Sequence, residues 1–496
     1  MRIRHYAASS ILFLAVSGCA LQPTYERPPV SVATSFPAGD AYKTPADRKG
    51  STARSAAYVR WRDFLTDPRL QALVEIALKN NQDLRIALLN VEKIRAQYKL
   101  QRSALFPQVS FASGAAVKTS GAGGTAGSST ASISRSYSGD LNVAWEADFF
   151  GRAHSLSDAA WEQYAASSYA QKAATVLLIS QVADQYLATL AYDEQLQVTR
   201  QLLQSAQASY KLAKLQFDVG TLSELDLSLT QTAVEQARAN LASQTRLRAQ
   251  AENALVLLLG QPLPADLPSP ETLASQTMMA DLPEGLPSDL LARRPDILQA
   301  EAALRAENAN IGAARAAFFP QISLTGSFGT ASPTLAGLFG GGAGAWSFLP
   351  SLLLPIFDAG ANRANLDIAT VQKDIGVAQY QKAVQNAFRE VADGLAARGT
   401  YDDQLAAQQR YTDAQKKRLE LENMLFSNGS DSYLNVLSAQ NDVYGAEQSL
   451  ITAHLNRLTS LVDLYRALGG GWLADGWRTA QRPATASALP YWKDTN

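Results

Sequence analysis

The side chains in this sequence that are able to do chemistry are few and scattered, with one exception. Its three histidines, His5, His154 and His454, stand far apart, and the first falls in a segment expected to be removed. Metal ligation and acid–base catalysis need such groups in clusters, so both begin with a poor supply of parts. The carboxylates Asp83, Glu92 and Asp296 sit singly in helix-compatible runs, where capping or a place on a helix face accounts for them. Glycine clusters at 121–127 and 340–344 lack the GxGxxG or GKT setting of a phosphate cradle and read as loop tips. No catalytic residue, metal site or cofactor is expected. Lys and Arg number 44 against 45 for Asp and Glu, which gives no sign of nucleic acid or another polyanion as a partner.

The exception is Cys19, the sole cysteine, which rules out a disulfide framework or a CxxC pair. Arg2 and Arg4 precede an apolar stretch at Ile11-Leu12-Phe13-Leu14-Ala15-Val16, and Ser17-Gly18-Cys19 follows. That order of basic, apolar and small residues is a secretory signal whose apolar part is too short to span a membrane. Val16-Ser17-Gly18-Cys19 resembles the bacterial lipobox, in which the cysteine becomes the lipidated first residue of the mature protein; the alternative is a buried structural thiol. Ala20 stands where an aspartate would retain a bacterial lipoprotein at the inner membrane, so delivery to the outer membrane is expected. Beyond residue 19 no run of eighteen apolar residues occurs, so a mature chain that spans a membrane must do so as a closed β-barrel.

The elements around these residues come in two copies, offset by about 210 positions. Leu105-Phe106-Pro107-Gln108-Val109-Ser110 returns as Phe318-Phe319-Pro320-Gln321-Ile322-Ser323, and Phe217-Asp218-Val219-Gly220-Thr221 returns as Phe426-Ser427-Asn428-Gly429-Ser430. No proline interrupts the stretch from Pro107 to Pro262 or that from Pro355 to Pro483, so long helices are permitted in both. A helix from about Arg152 to Phe217 would be roughly 100 Å long. Tyr192, Leu196, Thr199, Leu203, Ala206, Tyr210, Ala213 and Phe217 step by three and four along it. Near the C-terminus, Leu434, Leu437, Asn441, Tyr444, Gln448, Ile451, Leu455, Leu458, Val462 and Tyr465 keep the same spacing, which predicts coiled-coil seams.

Each copy also predicts two strands, near 106–118 and 136–148, then 319–330 and 346–357. In the second of these, Leu141, Val143 and Trp145 alternate with Asp140, Asn142 and Glu146, which reads as a lipid face and a lumen face. Trp145, Phe149 and Trp346 suit an interfacial aromatic girdle. Four strands cannot close a membrane barrel; two chains give about eight, with a filled interior, and three give about twelve, with a lumen.

Leu286-Pro287-Ser288-Asp289-Leu290-Leu291-Ala292-Arg293-Arg294-Pro295-Asp296-Ile297 closely resembles the outer-membrane factors of the TolC-like superfamily, in particular the lipidated OprM/NodT branch. The likeness extends to Asp67-Pro68-Arg69-Leu70, Asn80-Asn81-Gln82-Asp83-Leu84, Trp145-Glu146-Ala147-Asp148-Phe149-Phe150-Gly151-Arg152 and Leu354-Pro355-Ile356-Phe357-Asp358. The resemblance implies an α+β membrane protein: a homotrimer with a twelve-stranded transmembrane β-barrel, four strands from each chain, continued by a long α-helical coiled-coil barrel. It implies the exit duct of a tripartite efflux pump, docked to a periplasmic adaptor and an inner-membrane RND pump. On this reading residues 1–18 are a signal peptide and 19–60 a lipidated extension. Equatorial helices follow at 61–105, a barrel hairpin at 106–148 and a long helical hairpin at 149–260. The second copy has its linker and equatorial helices at 261–318, a barrel hairpin at 319–357, a helical hairpin at 358–468 and a tail at 469–496.

The turns Val219-Gly220-Thr221 and Asn428-Gly429-Ser430 would form the periplasmic rim, the first resembling the motif the family presents to its adaptor; Ser223 or Ser430 would cap the next helix. Arg410, Asp413, Glu420 and Glu422 are candidates for a resting gate held by ion pairs between helices. Two rival readings are a type I secretion duct and a coiled-coil surface lipoprotein. Neither the cargo nor the identity of the adaptor and pump is written in the chain.

Overall fold

The computed structural model describes residues 21–42 apart from 31 and 34, and then 56–120, 132–279, 282 and 293–474. The duplication is plain in its helices. The two longest are each 67 residues, α3 (Arg152–Asp218) in the first copy and α6 (Ala361–Ser427) in the second. Each starts after a left-handed glycine, Gly151 or Gly360. Each also has an aspartate from the preceding loop over its first turn. Asp148 accepts the His154 backbone N–H at 2.8 Å, and Asp358 accepts those of Gly360 and Asn362 at 3.0 and 2.9 Å. Negative charge at a helix start satisfies orphan N–H groups and suits the macrodipole.

Shorter helices complete each copy. α1 (Pro68–Asn80), α2 (Gln82–Ser103) and α4 (Glu224–Leu259) belong to the first, and α5 (Pro295–Ala316) and α7 (Tyr433–Ala467) to the second. They stack end to end beside the long helices. The end of α4 meets the start of α2, where Asn81 Nδ2 donates to Leu258 O at 2.9 Å, and the end of α7 meets the start of α5, where Arg294 Nη1 donates to Ala467 O at 2.9 Å. The result is a wall one helix thick. Its sheet-side half runs in the order α2, α3, α5, α6, and its far half runs α4, α3, α7, α6.

The strands β1 (Gln108–Ser120), β2 (Ser132–Ala147), β3 (Gln321–Ser332) and β4 (Gly344–Leu353) form one antiparallel sheet in chain order. β1 and β3 begin two residues later than expected because Pro107 and Pro320 have no N–H to give a ladder, whereas β2 and β4 begin earlier than expected, at Ser132 and Gly344. Residues 354–357 lie outside β4, with Ile356 and Phe357 exposed. The register puts Phe111, Leu141, Phe328 and Trp346 in one row, with Val109, Val143 and Phe348 beside it on the same face. Asn142, Ser327 and Ser347 form a row on the opposite face, where Ser327 and Ser347 are joined by a 2.7 Å hydroxyl bond. Among the described residues no helix is long and apolar enough to cross a membrane.

The main core lies at the belt where the short helices meet. It includes Phe64 stacked on Tyr465 at 4.2 Å, with Leu73, Leu187, Leu259, Ile297 and Val462 fully buried. The seams need one correction. In α3 the stripe buries Leu196, Thr199, Ala206 and Ala213, which agrees with its spacing. In α7 the residues buried toward the tip are Val436, Ala439 and Ala446, whereas Leu434 is exposed. The expected stripe there turns toward the other hairpin: Tyr444 Oη meets Thr199 Oγ1 at 3.2 Å, and Gln448 Nε2 donates to the Gln195 carbonyl at 3.2 Å. A helix in a wall has two neighbours, so it carries two seams, and spacing alone does not say which neighbour a seam serves.

Candidate functional site

A wall of this kind can work only where it closes, where it is held and where it ends. It closes along two edges. One consists of β1, α2 and α4, and the other of β4 and α6. Both sheet edges carry ladder groups with no partner strand among the described residues, an arrangement that a lone soluble sheet avoids. The helical edges show apolar side chains as well, with Ile86 and Leu89 exposed on α2, and Ile368, Val371 and Ile375 exposed on α6.

The wall is held at the belt by polar clasps. Asp67 is buried at the start of α1, where it accepts from the Arg69 N–H at 2.7 Å, from Tyr186 Oη at 2.8 Å and from Gln276 Nε2 at 2.8 Å. Burial first, and the Asp67 carboxylate second, hold the Tyr186 hydroxyl far above its ordinary pKa, so it stays a donor. In the second copy the clasp is the buried Arg294. It binds Asp296 at 3.0 and 2.7 Å, Glu390 on α6 at 2.8 Å and the last carbonyl of α7. Burial opposes its charge, but these carboxylates outweigh burial and raise its pKa, so it stays a cation. The Arg293 carbonyl accepts from Trp472 Nε1 at 2.6 Å, which fixes the segment after α7. The Arg293-Arg294-Pro295-Asp296 motif is therefore a fastener between helices.

A second holder left no local signal in the sequence. The described residues between 21 and 42 run as an extended strap over α5 and α6. Arg315 Nη1 donates to Leu21 O at 3.3 Å, Asn308 Nδ2 to Pro23 O at 2.7 Å, and Gln381 Nε2 to Pro29 O at 3.1 Å; Phe36 stacks on Phe388 at 5.5 Å. Its strongest tie is Arg27 on the buried Glu301, at 3.0 and 2.8 Å, with Arg305 completing the carboxylate at 2.7 Å. Gly312 leaves the strap room, because a Cβ there would lie 2.8 Å from Gln22 Cα. The strap thus leads toward the sheet end of the wall, close to the start of β3. Cys19 itself lies outside the described residues.

The wall ends at two matching turns. Thr221 N donates to Gln216 O and Gly220 N to Phe217 O, both at 2.9 Å; Ser430 N to Leu425 O at 2.9 Å and Gly429 N to Phe426 O at 3.0 Å repeat the pattern. These paired bonds make a Schellman motif, with Gly220 at φ 78° and Gly429 at φ 73°. Val219 is 73 % exposed and Leu225 is 69 % exposed, so the first turn presents apolar side chains to its surroundings. Ser223 caps α4 by accepting the Asp226 N–H at 3.1 Å. Ser430 does not cap α7. The N-cap there is Ser432, and the neighbouring Asp431 bonds Ser432 N and Asn435 Nδ2, both at 2.6 Å.

The four gate candidates all fall on α6, and the structure does not join them to one another. Asp413 accepts from Gln409 at 3.1 Å, Glu420 pairs with Lys417 at 2.9 Å, and Glu422 is 3.8 Å from Arg418. Arg410 is exposed and makes no ion pair among the described residues. Ion pairs that cross between α6 and α7 toward the tip include Lys416–Glu447 and Arg418–Asp442, both at 2.7 Å, and Asp402–Arg457 at 2.5 Å. Spacing along one helix could not reveal them, since each partner lies across the turn.

The wall with two open edges, its repeat and its clasps can now be compared with known proteins. The model of the outer membrane efflux protein family matches the chain in two segments, residues 73–261 and 286–470, one for each copy. The chain belongs to the outer membrane efflux protein family. It is 45% identical to the toluene efflux pump outer membrane protein TtgC of Pseudomonas putida over 469 residues, covering 93% of this chain and 96% of that one. It is 42% identical to the outer membrane protein OprJ of Pseudomonas aeruginosa, covering 95% and 97%. The open-state MtrE channel of Neisseria gonorrhoeae superposes with a TM-score of 0.81 at 39% identity, covering 91% of this chain and 98% of that one. This family member is an outer-membrane efflux channel subunit with the fold of the TolC-like trimeric channels, and it serves as the outer-membrane component of an efflux system.

Proposed function

We propose that three copies of this chain close into the exit duct of a tripartite pump that takes small organic molecules from the periplasm to the exterior by passive conduction. The observation that carries this reading is the pair of open edges running the length of the wall. Docking the β1/α2/α4 edge of one copy on the β4/α6 edge of the next is a head-to-tail contact, which closes into a ring when the rotation permits. Four strands from each of three chains give about twelve, enough to leave a lumen lined by the serine and asparagine face.

The finer parts of the assembly follow from the ends of the wall. The exposed turns Val219-Gly220-Thr221 and Asn428-Gly429-Ser430 are the surface for a periplasmic adaptor, which couples the duct to an inner-membrane pump of the RND class. Arg410, Asp413, Glu420 and Glu422 remain candidates for contacts between protomers at the resting tips. Exposed ion pairs are worth about 0–1 kcal/mol each, so such a lock depends on repetition around the ring. The names of the relatives speak of toluene and antibiotics, and cargo of that kind is proposed here. Cys19 carries the lipid anchor. It lies two residues before Leu21, about 7 Å of chain, and the strap holds Leu21 near the membrane end of the wall.

Crosslinking tests the closure. A cysteine replacing Ser113 on β1, combined with single cysteines stepped along 345–351 of β4, is oxidised in outer-membrane vesicles. A covalent ladder that ends at three chains is expected. A ladder ending at two would overturn the stoichiometry, and no product at any step would overturn the edge pairing. Intact-mass analysis of the same material should find acyl groups on Cys19; an unmodified chain beginning before it would remove the anchor.

A further inference from the structure

α3 serves both halves of the wall, packing on α5 in the sheet-side half and on α7 in the far half. Asp184 sits on α3 at this change of partner, in electrostatic reach of Asp463 and Arg466, within the last turns of α7. Its Oδ1 is buried and accepts no hydrogen bond among the described residues. Arg466, the cation in reach, is already engaged, with Nη2 3.2 Å from Asp463 and Nη1 3.8 Å from Glu390 on α6. Glu390 is also held by Arg294, which binds Asp296 as well. Two guanidinium groups thus serve Asp184, Asp463, Glu390 and Asp296.

Among the described residues, Arg466 is the one cation whose charge reaches Asp184. On α4, Arg248 pairs with Glu252 and with Asp193, and on α1, Glu75 is taken by Arg62. Between Lys172 and Asp193, α3 has no other charged residue.

We propose that Asp184 is a proton-operated switch at the belt. When protonated it lets the end of α7 close on α3; when ionised it sets a second carboxylate against Asp463 and loosens the far hairpins. Burial first, and Asp463 second, push the Asp184 carboxyl up to about 7, with Arg466 pulling the other way. The sign follows. A carboxyl whose folded pKa is raised holds its proton more tightly in the native protein. Its penalty is absent below the ordinary carboxylate range, grows as pH rises toward 7, and is complete above it. The consequence for conduction rests on the duct reading; the titration does not.

Full-length protein, purified as the assembled oligomer, is melted from pH 5 to 9 as wild type, Asp184→Asn and Asp463→Asn. The wild-type melting temperature should fall as pH rises to about 7 and level off above it. Asp184→Asn should abolish that fall. Asp463→Asn should keep it but move it to lower pH, because the repelling charge is gone; this variant keeps the proposal testable if the first fails to assemble. Conductance in planar bilayers should rise over the same range in the wild type and stay flat in Asp184→Asn. A wild-type melting temperature that does not change with pH, or a fall that survives in Asp184→Asn, overturns the switch. The expected melting with conductance insensitive to pH overturns its coupling to the far hairpins. The expected melting with no conductance in any protein overturns the duct reading and leaves the switch standing.

Discussion

The tips and the belt of this wall both end helices on left-handed glycines, yet the two regions constrain those glycines differently. At the tips, a Cβ added to Gly220 or Gly429 would meet nothing within 4 Å. At the belt, a Cβ on Gly260 would lie 2.4 Å from Asn80 O, and one on Gly471 would lie 2.0 Å from Val59 O. Tip glycines are needed for a backbone angle alone; belt glycines are needed for the angle and for the missing atom. The belt is therefore closed to change, while the tips are turns whose outer surface stays open to a partner.

The largest effect expected from this contrast is at the belt. Gly471→Ala combines about 1–2 kcal/mol for the left-handed angle with about 1–3 kcal/mol for overpacking against backbone. Loss of assembled oligomer from outer membranes is the expected outcome, and native melting in that variant would break the comparison. The clasp at Arg294 and the matching joint at Asn81 rank next. Arg294→Met leaves Glu390 with only the 3.8 Å contact to Arg466 and should cost about 3 kcal/mol, read as a lower melting temperature. Asn81 joins α4 to α2 in the first copy, as Arg294 joins α7 to α5 in the second, but with neutral hydrogen bonds. Asn81→Ala should cost about 1–2 kcal/mol through the lost cap and the lost interhelical bond. Equal costs at these two sites would mean that the ions of the second copy add nothing.

This ranking also separates what the residues disclosed from what they did not. Strand alternation, proline punctuation and the two glycine turns are local patterns, and each can be read within about a dozen residues. The repeat could be found because the copies share those patterns in the same order. The clasps join groups such as Arg294 and the Ala467 carbonyl, and the strap joins Arg27 to Glu301, across long stretches of chain that no spacing rule covers. Their residue types gave only a hint, in that Arg294 and Glu301 are charged residues inside otherwise buried turns. The α7 stripe misled for a related reason: its spacing was right for a seam, but the seam faces α3 in the other hairpin. Nothing in the spacing around Asp184 marks it out, and only the packing of α7 on α3 shows a buried carboxyl oxygen without a hydrogen bond among the described residues.

The smallest expected effect is at the tips, and it sharpens the comparison most. Gly220→Ala and Gly429→Ala have open space for the new methyl group, so each should cost only about 1 kcal/mol, from the left-handed angle. Valine at the same positions raises that strain, since a β-branched side chain tolerates positive φ worst. Alanine variants should therefore assemble normally and melt within a few degrees of wild type. If the first turn is a docking surface, Gly220→Val should assemble yet lose efflux when measured with the cognate adaptor and pump. Gly429→Val puts the same strain on a turn where the polar Asn428 stands in place of Val219, so a smaller loss of efflux there would assign more of the docking to the apolar first turn. Lost assembly in both valine variants would make these turns folding elements alone. Normal efflux in both would take the tips out of the mechanism and leave the belt as the part of the wall on which function depends.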